Sequence, residues 1–387
     1  MKTSQDRILT THVGSLPRTE RIVGLLEKRE NGIEFDAGIF DESIRQAVIE
    51  NVRRQTEIGI DAVSDGEASK ISYATYVKDR LTGFSDEGAT EAAKPHLDLQ
   101  PFPEFRRKMA VLNGARRFKR VACIGPVAIR NREAMRQDLE NMKRARDACA
   151  PLDAFLNAAS PGVVASFLPN RYYPSHEAYV QAVADAMREE YEVIVGAGFT
   201  VQIDCPDLAM SRHTAFQDQS EAEFLKRAAF HVEVLNHALA NIPADKVRVH
   251  VCWGNYEGPH THDIDLAKIG PIILGIKAQA LSVEAANPRH EHEWTVWMDL
   301  KLPSGKILLP GVIDTSTNYV EHPELVAQRI VRLAGVVGRE QIIASTDCGF
   351  GTSAGYGKLD PEVAFLKLGA LVEGAARASR QLWAYGC

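Results

Sequence analysis

From residue 174 onward, stretches with an apolar residue at every third or fourth position alternate with short unbroken apolar runs. The first pattern is that of a helix burying one face, and the second that of a strand covered on both sides. Helices are predicted over 176–195, 221–240, 267–277, 323–337 and 361–382, and strands between them over 201–204, 247–252, 281–284, 307–314 and 342–344. The first half is less regular. A strand over 7–13 breaks at Gly14-Ser15-Leu16-Pro17-Arg18, and helices follow over 19–28 and 41–55, the second with Asp41 as its N-cap. Gly59 closes that helix, and a short strand, 60–63, runs into Asp65-Gly66-Glu67. Weak periodicity between 70 and 120 predicts loops and short helices laid over one face. A strand over 121–124, a charged helix over 133–148 and a strand over 154–158 complete the series.

Helices alternating with apolar strands imply parallel strands joined by helical crossovers. Nine strand candidates are one more than a (β/α)8 TIM barrel holds, and the surplus, 121–124, is assigned to a hairpin outside the barrel. The expectation is an α/β chain forming one barrel domain over 1–387, with about 70–125 inserted over it. A doubly wound open sheet is the alternative. It lacks the G-x-G-x-x-G that a dinucleotide fold places after its first strand.

Composition narrows the partners. A net charge of −6, with 45% apolar and 25% charged residues, gives no electrostatic reason to expect nucleic acid. No apolar run approaches a membrane span, and Met1 to Arg7 lack the apolar core of a signal peptide, so a cytoplasmic protein is expected. Six cysteines scattered over 387 residues are not a disulfide framework, and reduced thiols are expected.

Chemistry in a barrel gathers where strands end and βα loops begin. Ser15, Glu67, Asp204, His250, Cys252, Glu284, Asp314 and Cys348 all fall at such ends. Side chains two apart on a strand share a face, so His250 and Cys252 point together. An imidazole and a thiolate suit Zn2+, and Cys348 and Glu284, each after another apolar run, add a second thiolate and a carboxylate. Each residue alone has a bland reading, since a buried Cys often packs as a small apolar side chain. The four together predict a metal. Two thiolates, an imidazole and a carboxylate leave Zn2+ with a formal charge of about −1, a poor generator of hydroxide and a good holder of a further thiolate. A substrate thiol, with a free pKa of about 8.5, would be deprotonated there at neutral pH.

Two His-x-His pairs on polar loops, His260 with His262 and His290 with His292, are competing metal candidates, set against a reading as exposed histidines with lid or supporting duties. Cys123, Cys149 and Cys387 are given no catalytic role. Cys205, directly after Asp204, is expected by the pocket, open to contact with substrate or to oxidation.

These residues resemble the C-terminal catalytic barrel of cobalamin-independent methionine synthases, in a superfamily that also holds uroporphyrinogen decarboxylase-like proteins. Residues Thr10 to Pro17 look like the family's opening motif, Asp65-Gly66-Glu67 like the end of its second strand, and Val201 to Asp204 like its substrate strand. His250-x-Cys252, Glu284 and Asp347-Cys348-Gly349 match its zinc ligands in type and order. The resemblance implies a (β/α)8 barrel and methyl transfer to a zinc-bound thiolate, homocysteine in methionine synthases. It also implies that Ser15 holds the acceptor carboxylate and that Glu67 and Asp204 hold its ammonium group. Two departures stand out: Ser316 falls where the family has a histidine thought to protonate the leaving group, and Cys205 where it usually has an acid. The chain also has room for one barrel, whereas the full-length plant and bacterial enzymes carry two.

The resulting expectation is a zinc-dependent thiol methyltransferase or alkyltransferase, with Asp314 and Ser316 at the leaving-group end. Its partners are a small-molecule thiol and an alkyl donor: methylfolate, a methylcorrinoid carrier or an epoxide. In the epoxide case, as in epoxyalkane:coenzyme M transferase, His12, Arg18 or Arg212 would meet a sulfonate. A uroporphyrinogen-type decarboxylase and a non-catalytic zinc or thiol sensor are the other readings. The oligomeric state is left open, a homo-oligomer included.

Overall fold

The computed structural model describes residues 1–89, 95–114 and 118–384. Its strands are β1 (Leu9–Thr10), β2 (Ala62–Val63), β3 (Phe84–Ser85), β4 (Ala122–Cys123), β5 (Asp153–Ala159), β6 (Thr200–Asp204), β7 (Val247–Val251), β8 (Ala280–Val283), β9 (Ile307–Ile313) and β10 (Ile343–Thr346). Eight of them form one parallel sheet in the order β1-β10-β9-β8-β7-β6-β5-β2. Its two ends meet. The Asp61 N–H donates to the Thr10 carbonyl at 3.1 Å, and the Asp61 carboxylate accepts from the Thr10 N–H at 2.8 Å. The Thr11 hydroxyl donates to the Ala62 carbonyl at 2.9 Å, so the sheet curls into the expected TIM barrel.

The surplus strand stands where the alternation put it. β4 pairs antiparallel with β3, Phe84 opposite Cys123, in a ribbon outside the barrel. The helices His176–Gly196, Glu221–Ala238, Pro323–Val337 and Pro361–Trp383 begin where predicted, because each has a side-chain N-cap: Ser175, Ser220, His322 and Asp360. The helix expected from Asp41 starts earlier, as Ala37–Ile58. Its cap is Asp36, whose carboxylate accepts from the Ile39 N–H at 2.9 Å. Its first turn, Ala37-Gly38-Ile39-Phe40, is apolar, and Phe40 opens the buried series Phe40, Ile44, Val48 that a cap at Asp41 cuts short. Directly after β5, Ser160-Pro161-Gly162 opens a helix that was not expected, Pro161–Phe167, with the Ser160 hydroxyl accepting from the Val163 N–H and Pro161 at its first position.

Alternate strand residues separate two interiors. Val247, Val249 and Val251 join the large core between sheet and helices. Leu9, Ala280, Ile307, Leu309 and Ile343 form a second apolar cluster that plugs one end of the barrel. Above that plug the interior turns polar. Arg248 stacks on Phe155 at 3.9 Å and donates to the Thr11 hydroxyl and the His12 carbonyl, at 2.9 and 2.8 Å. His250 lies one step further along the same face, paired in register with Asp204 and Ser282. The strand ends therefore present polar groups over an apolar floor. Among the described residues no helix is long and apolar enough to cross a membrane.

Candidate metal and substrate site

His250, Cys252 and Cys348 are buried, and their ligand atoms lie within 4.8 Å of one another. The two Sγ atoms are 3.6 Å apart. That is far beyond a disulfide bond of about 2.05 Å. It is close to the separation of about 3.8 Å that two sulfurs 2.3 Å from one tetrahedral Zn2+ would have. Neither ring nitrogen of His250 has a hydrogen-bond partner among the described residues, and burial pushes its pKa down to about 3. A neutral, buried imidazole with nothing to bond to is a ligand in waiting. The neighbouring Cys348 thiol and burial push the Cys252 thiol up, a state that a cation between the sulfurs would reverse. The donor set fits Zn2+.

The fourth expected ligand, Glu284, stands beside Cys252 but outside the three-residue cluster. One oxygen accepts from the Trp253 N–H at 2.7 Å and the other from the Asn287 side chain at 2.8 Å. Burial and the adjacent Cys252 hold its carboxyl well above the usual range. Asp347 fixes the loop that follows it. One of its oxygens accepts from the Ala285 and Ala286 N–H groups, at 2.8 and 2.9 Å. The other accepts from the backbone and side chain of Asn287, at 2.9 and 3.0 Å. A Cβ on Gly311 would lie 2.2 Å from Asp347, so only glycine lets β9 and β10 approach here.

The residues expected to hold an acceptor lie at the ends of β1, β2, β5 and β6. Ser15 is buried against the loop of Cys348, where a Cβ on Gly349 would lie 2.0 Å from its hydroxyl. Asp65 and Glu67, on a turn that local pattern alone would leave solvated, are both buried. Glu67 adopts φ +54° and points one oxygen at no hydrogen-bond partner, with the Lys70 ammonium 4.0 Å away. Asp204 accepts from Asn157 at 2.9 Å and from Gln202 at 2.8 Å. Burial, then the charge of Glu67, push its pKa up to about 7. Two neighbouring buried carboxylates with spare acceptor capacity form a cradle for a cation such as an ammonium group.

Other expected residues are committed to the fold. His12 bonds Gln55 at 2.7 Å through one nitrogen and accepts from the Gly14 N–H through the other. The Arg18 guanidinium donates only to backbone carbonyls, twice to Glu67 and once to Gly351, and so staples three strand ends together. Arg212 keeps one buried guanidinium nitrogen without a partner. Cys205 is not brought alongside Asp204: alternation turns it into the core between sheet and helices, near Ser160 and Tyr191. Asp314 accepts four bonds from its own loop, from the N–H and hydroxyl groups of Ser316 and Thr317. Cys123 and Cys149 carry free thiols away from the cluster, and Cys387 lies outside the described residues.

The histidine loops depart from expectation. His262 is exposed, but His260 and His290 are buried and share Asp263, at 3.1 and 3.2 Å. His290 also bonds Glu293 at 2.8 Å, and these carboxylates outweigh burial to raise it to about 11. Sequence reasoning missed Asn157, Gln202 and Asn287 as partners of the site carboxylates. The signal for the first two was an amide in the middle of a buried strand, which only a polar barrel interior explains.

Residues 8–94 and 163–376 match the family described as "Cobalamin-independent synthase, Catalytic domain". The chain is 24% identical to a protein named methionine synthase from Thermococcus kodakarensis, over 96% of this chain and 94% of that one. A methionine synthase from Pyrococcus furiosus is likewise 24% identical, over 96% and 93%. Among solved structures, a B12-independent methionine synthase from Shewanella, in complex with selenomethionine, superposes with a TM-score of 0.72 at 20% identity, covering 98% of this chain and 99% of that one.

Proposed function

Because the chain belongs to the cobalamin-independent synthase catalytic-domain family, we propose that it is a zinc-dependent methyltransferase whose acceptor is the thiol of homocysteine. The observation that carries this reading is the trio at the barrel mouth: two thiols 3.6 Å apart beside a buried imidazole without a partner. The names of the relatives, and the selenomethionine held by the Shewanella protein, support the acceptor.

When bound, Zn2+ supplies a site that lowers a thiol's pKa and keeps it nucleophilic at neutral pH. His250, Cys252 and Cys348 would hold the ion, and Glu284, beside Cys252, would complete the set. Glu67 and Asp204 bind the acceptor's ammonium group, and Ser15, against the Cys348 loop, binds its carboxylate. Anchoring both ends of the amino acid turns its thiol toward the cysteines. This is positioning catalysis, in which a fixed approach replaces a diffusive encounter. Asp314, held ready by Ser316 and Thr317, faces the leaving-group end. The new S–C bond forms as the methyl–donor bond breaks, and the donor departs with that electron pair. We further treat 1–387 as one barrel domain in which about 70–125 is the insertion, and place it in the cytoplasm, where its thiols stay reduced.

The test is a product screen by mass spectrometry. Homocysteine, coenzyme M and glutathione are each paired with methylfolate, methylcobalamin and small epoxides. Methionine from homocysteine is the expected product, and its donor names the second substrate. Alkylated coenzyme M alone would replace the proposal with epoxide opening. Thiol binding without any product would replace it with a sensor.

A further inference from the structure

Three separate segments over the barrel mouth converge on a second cluster that the thiolate site does not use. The insertion contributes Asp98, in the turn Leu97–Leu99. The loop after β6 contributes His213, and the loop after β7 contributes His260 and Asp263. Ligand atoms of Asp98, His260 and Asp263 lie within 4.8 Å of one another. His213 is completely buried and faces both carboxylates, its Nδ1 3.3 Å from Asp263 and its Nε2 3.9 Å from Asp98. Among the described residues, neither of its nitrogens makes a hydrogen bond. We propose that Asp98, His213, His260 and Asp263 form a second binding site for a divalent cation of the Zn2+ type, with nitrogen and oxygen ligands only.

The competing account is an ordinary hydrogen-bonded histidine–aspartate network, and part of the cluster is one. Asp98 accepts from Tyr256, Thr261 and His262, and one Asp263 oxygen lies within hydrogen-bond distance of His260 and His290. These bonds reach both oxygens of Asp98, with Tyr256 on the one nearer His213, and the His260 ring also stands 3.3 Å from the second Asp263 oxygen. None of them engages His213, whose ring is out of line with Asp263 and too far from Asp98 to donate well. A cation accepts an imidazole lone pair where a proton fails to bridge. With Zn–N and Zn–O bonds of about 2.1 Å, adjacent tetrahedral ligands stand about 3.4 Å apart. The separations of 3.1 Å between His260 and Asp263 and 3.3 Å between His213 Nδ1 and Asp263 lie close to that value, and a single ion would take that one nitrogen of His213. Two carboxylates and two neutral imidazoles also balance a 2+ charge, in contrast to the thiolate set.

Such an ion would tie the insertion to the β6 and β7 loops. The same segments are already linked by the Leu97 N–H donating to the His213 carbonyl at 2.9 Å and by Tyr256 on Asp98. The consequence is a lid ordered by metal.

The experiment uses the full chain in which Cys252→Ser and Cys348→Ser remove the sulfur site. Zn2+ binding is measured by equilibrium dialysis and elemental analysis, and hydrogen exchange is followed over 95–99 and 256–263. One equivalent is expected in this variant and two in the parent, with both segments protected by Zn2+. Adding Asp98→Asn and His213→Gln removes the remaining equivalent and the protection. His213→Gln alone, a milder change, weakens both. A cysteine variant that is folded by circular dichroism yet binds no Zn2+ overturns the proposal, as does an equivalent that survives Asp98→Asn with His213→Gln. Failure of the sulfur site is read separately: Co2+ there gives an intense sulfur charge-transfer band, which the second site cannot produce.

Discussion

Asp347→Asn tests whether the carboxylate behind the cysteine holds the candidate metal site in shape. The native side chain receives four donors, two on each oxygen, all from residues 285–287. Asparagine keeps one acceptor oxygen and turns an NH2 group toward the other two donors. Two hydrogen bonds are lost and a buried backbone N–H is left unpaired, at about 1–3 kcal/mol for each unsatisfied group. Against this, burial and Asp314 push the Asp347 carboxyl up to about 7, so a neutral amide escapes a desolvation cost that the charged form bears. The net expectation is a loss of about 1–3 kcal/mol in the metal-free protein, read from urea unfolding. Asn287 also holds Glu284, so the same change loosens that carboxylate, and zinc affinity should fall about 10–100-fold in competition with a chromophoric chelator. Metal-free stability within about 0.5 kcal/mol of the parent, together with unchanged zinc affinity, would refute this account of the loop.

Gly14→Ala should act at a distance. Gly14 has φ +128°, and a Cβ there would lie 2.1 Å from the Asn157 side chain, so the change costs about 2 kcal/mol or more and moves Asn157 off Asp204. Thermal unfolding and KM for the thiol amino acid check the two effects. Because Asp204 must be charged to hold an ammonium group, that KM should rise as pH falls through about 7, and Asp204→Asn should flatten the profile. The sign for stability is opposite. A folded pKa above the unfolded value of about 3.9 means the fold binds extra protons, so Asp204 makes stability fall as pH rises from about 4 to about 7. Arg18→Ala removes three bonds to backbone carbonyls and should cost about 2–4 kcal/mol in unfolding experiments, with KM for the acceptor little changed in the protein that remains folded.

The barrel was legible because its evidence is periodic: helices and apolar strands alternate, and strands covered on both sides read as unbroken apolar runs. The strand ends were legible for a related reason. His250, Cys252, Glu284 and Cys348 each interrupt or follow such a run with a residue that has little reason to be there unless it does chemistry. What stayed hidden depends on pairs of residues far apart in sequence. His12 and Arg18 are polar, early and close to Ser15, as ligand-binding residues would be, yet Gln55 and two backbone carbonyl groups consume them. Cys205 follows Asp204 directly, and the single-residue step that puts Asp204 inside the barrel puts Cys205 outside. His260 and His290 lie on loops rich in polar residues, where exposure is the natural inference. His260 is enclosed by Asp263 and by Asp98 of the insertion, and His290 by Asp263, Glu293 and Trp253, pairings that no local pattern encodes.

The central claim is that the cysteine pair presents a substrate thiol through a metal, and the Co2+-loaded protein reports on it directly. Its sulfur charge-transfer band should match two thiolates at rest, grow to three when homocysteine is added, and vanish in the Cys252→Ser, Cys348→Ser variant. A band that is absent from the parent protein, or that saturating homocysteine leaves unchanged, contradicts it.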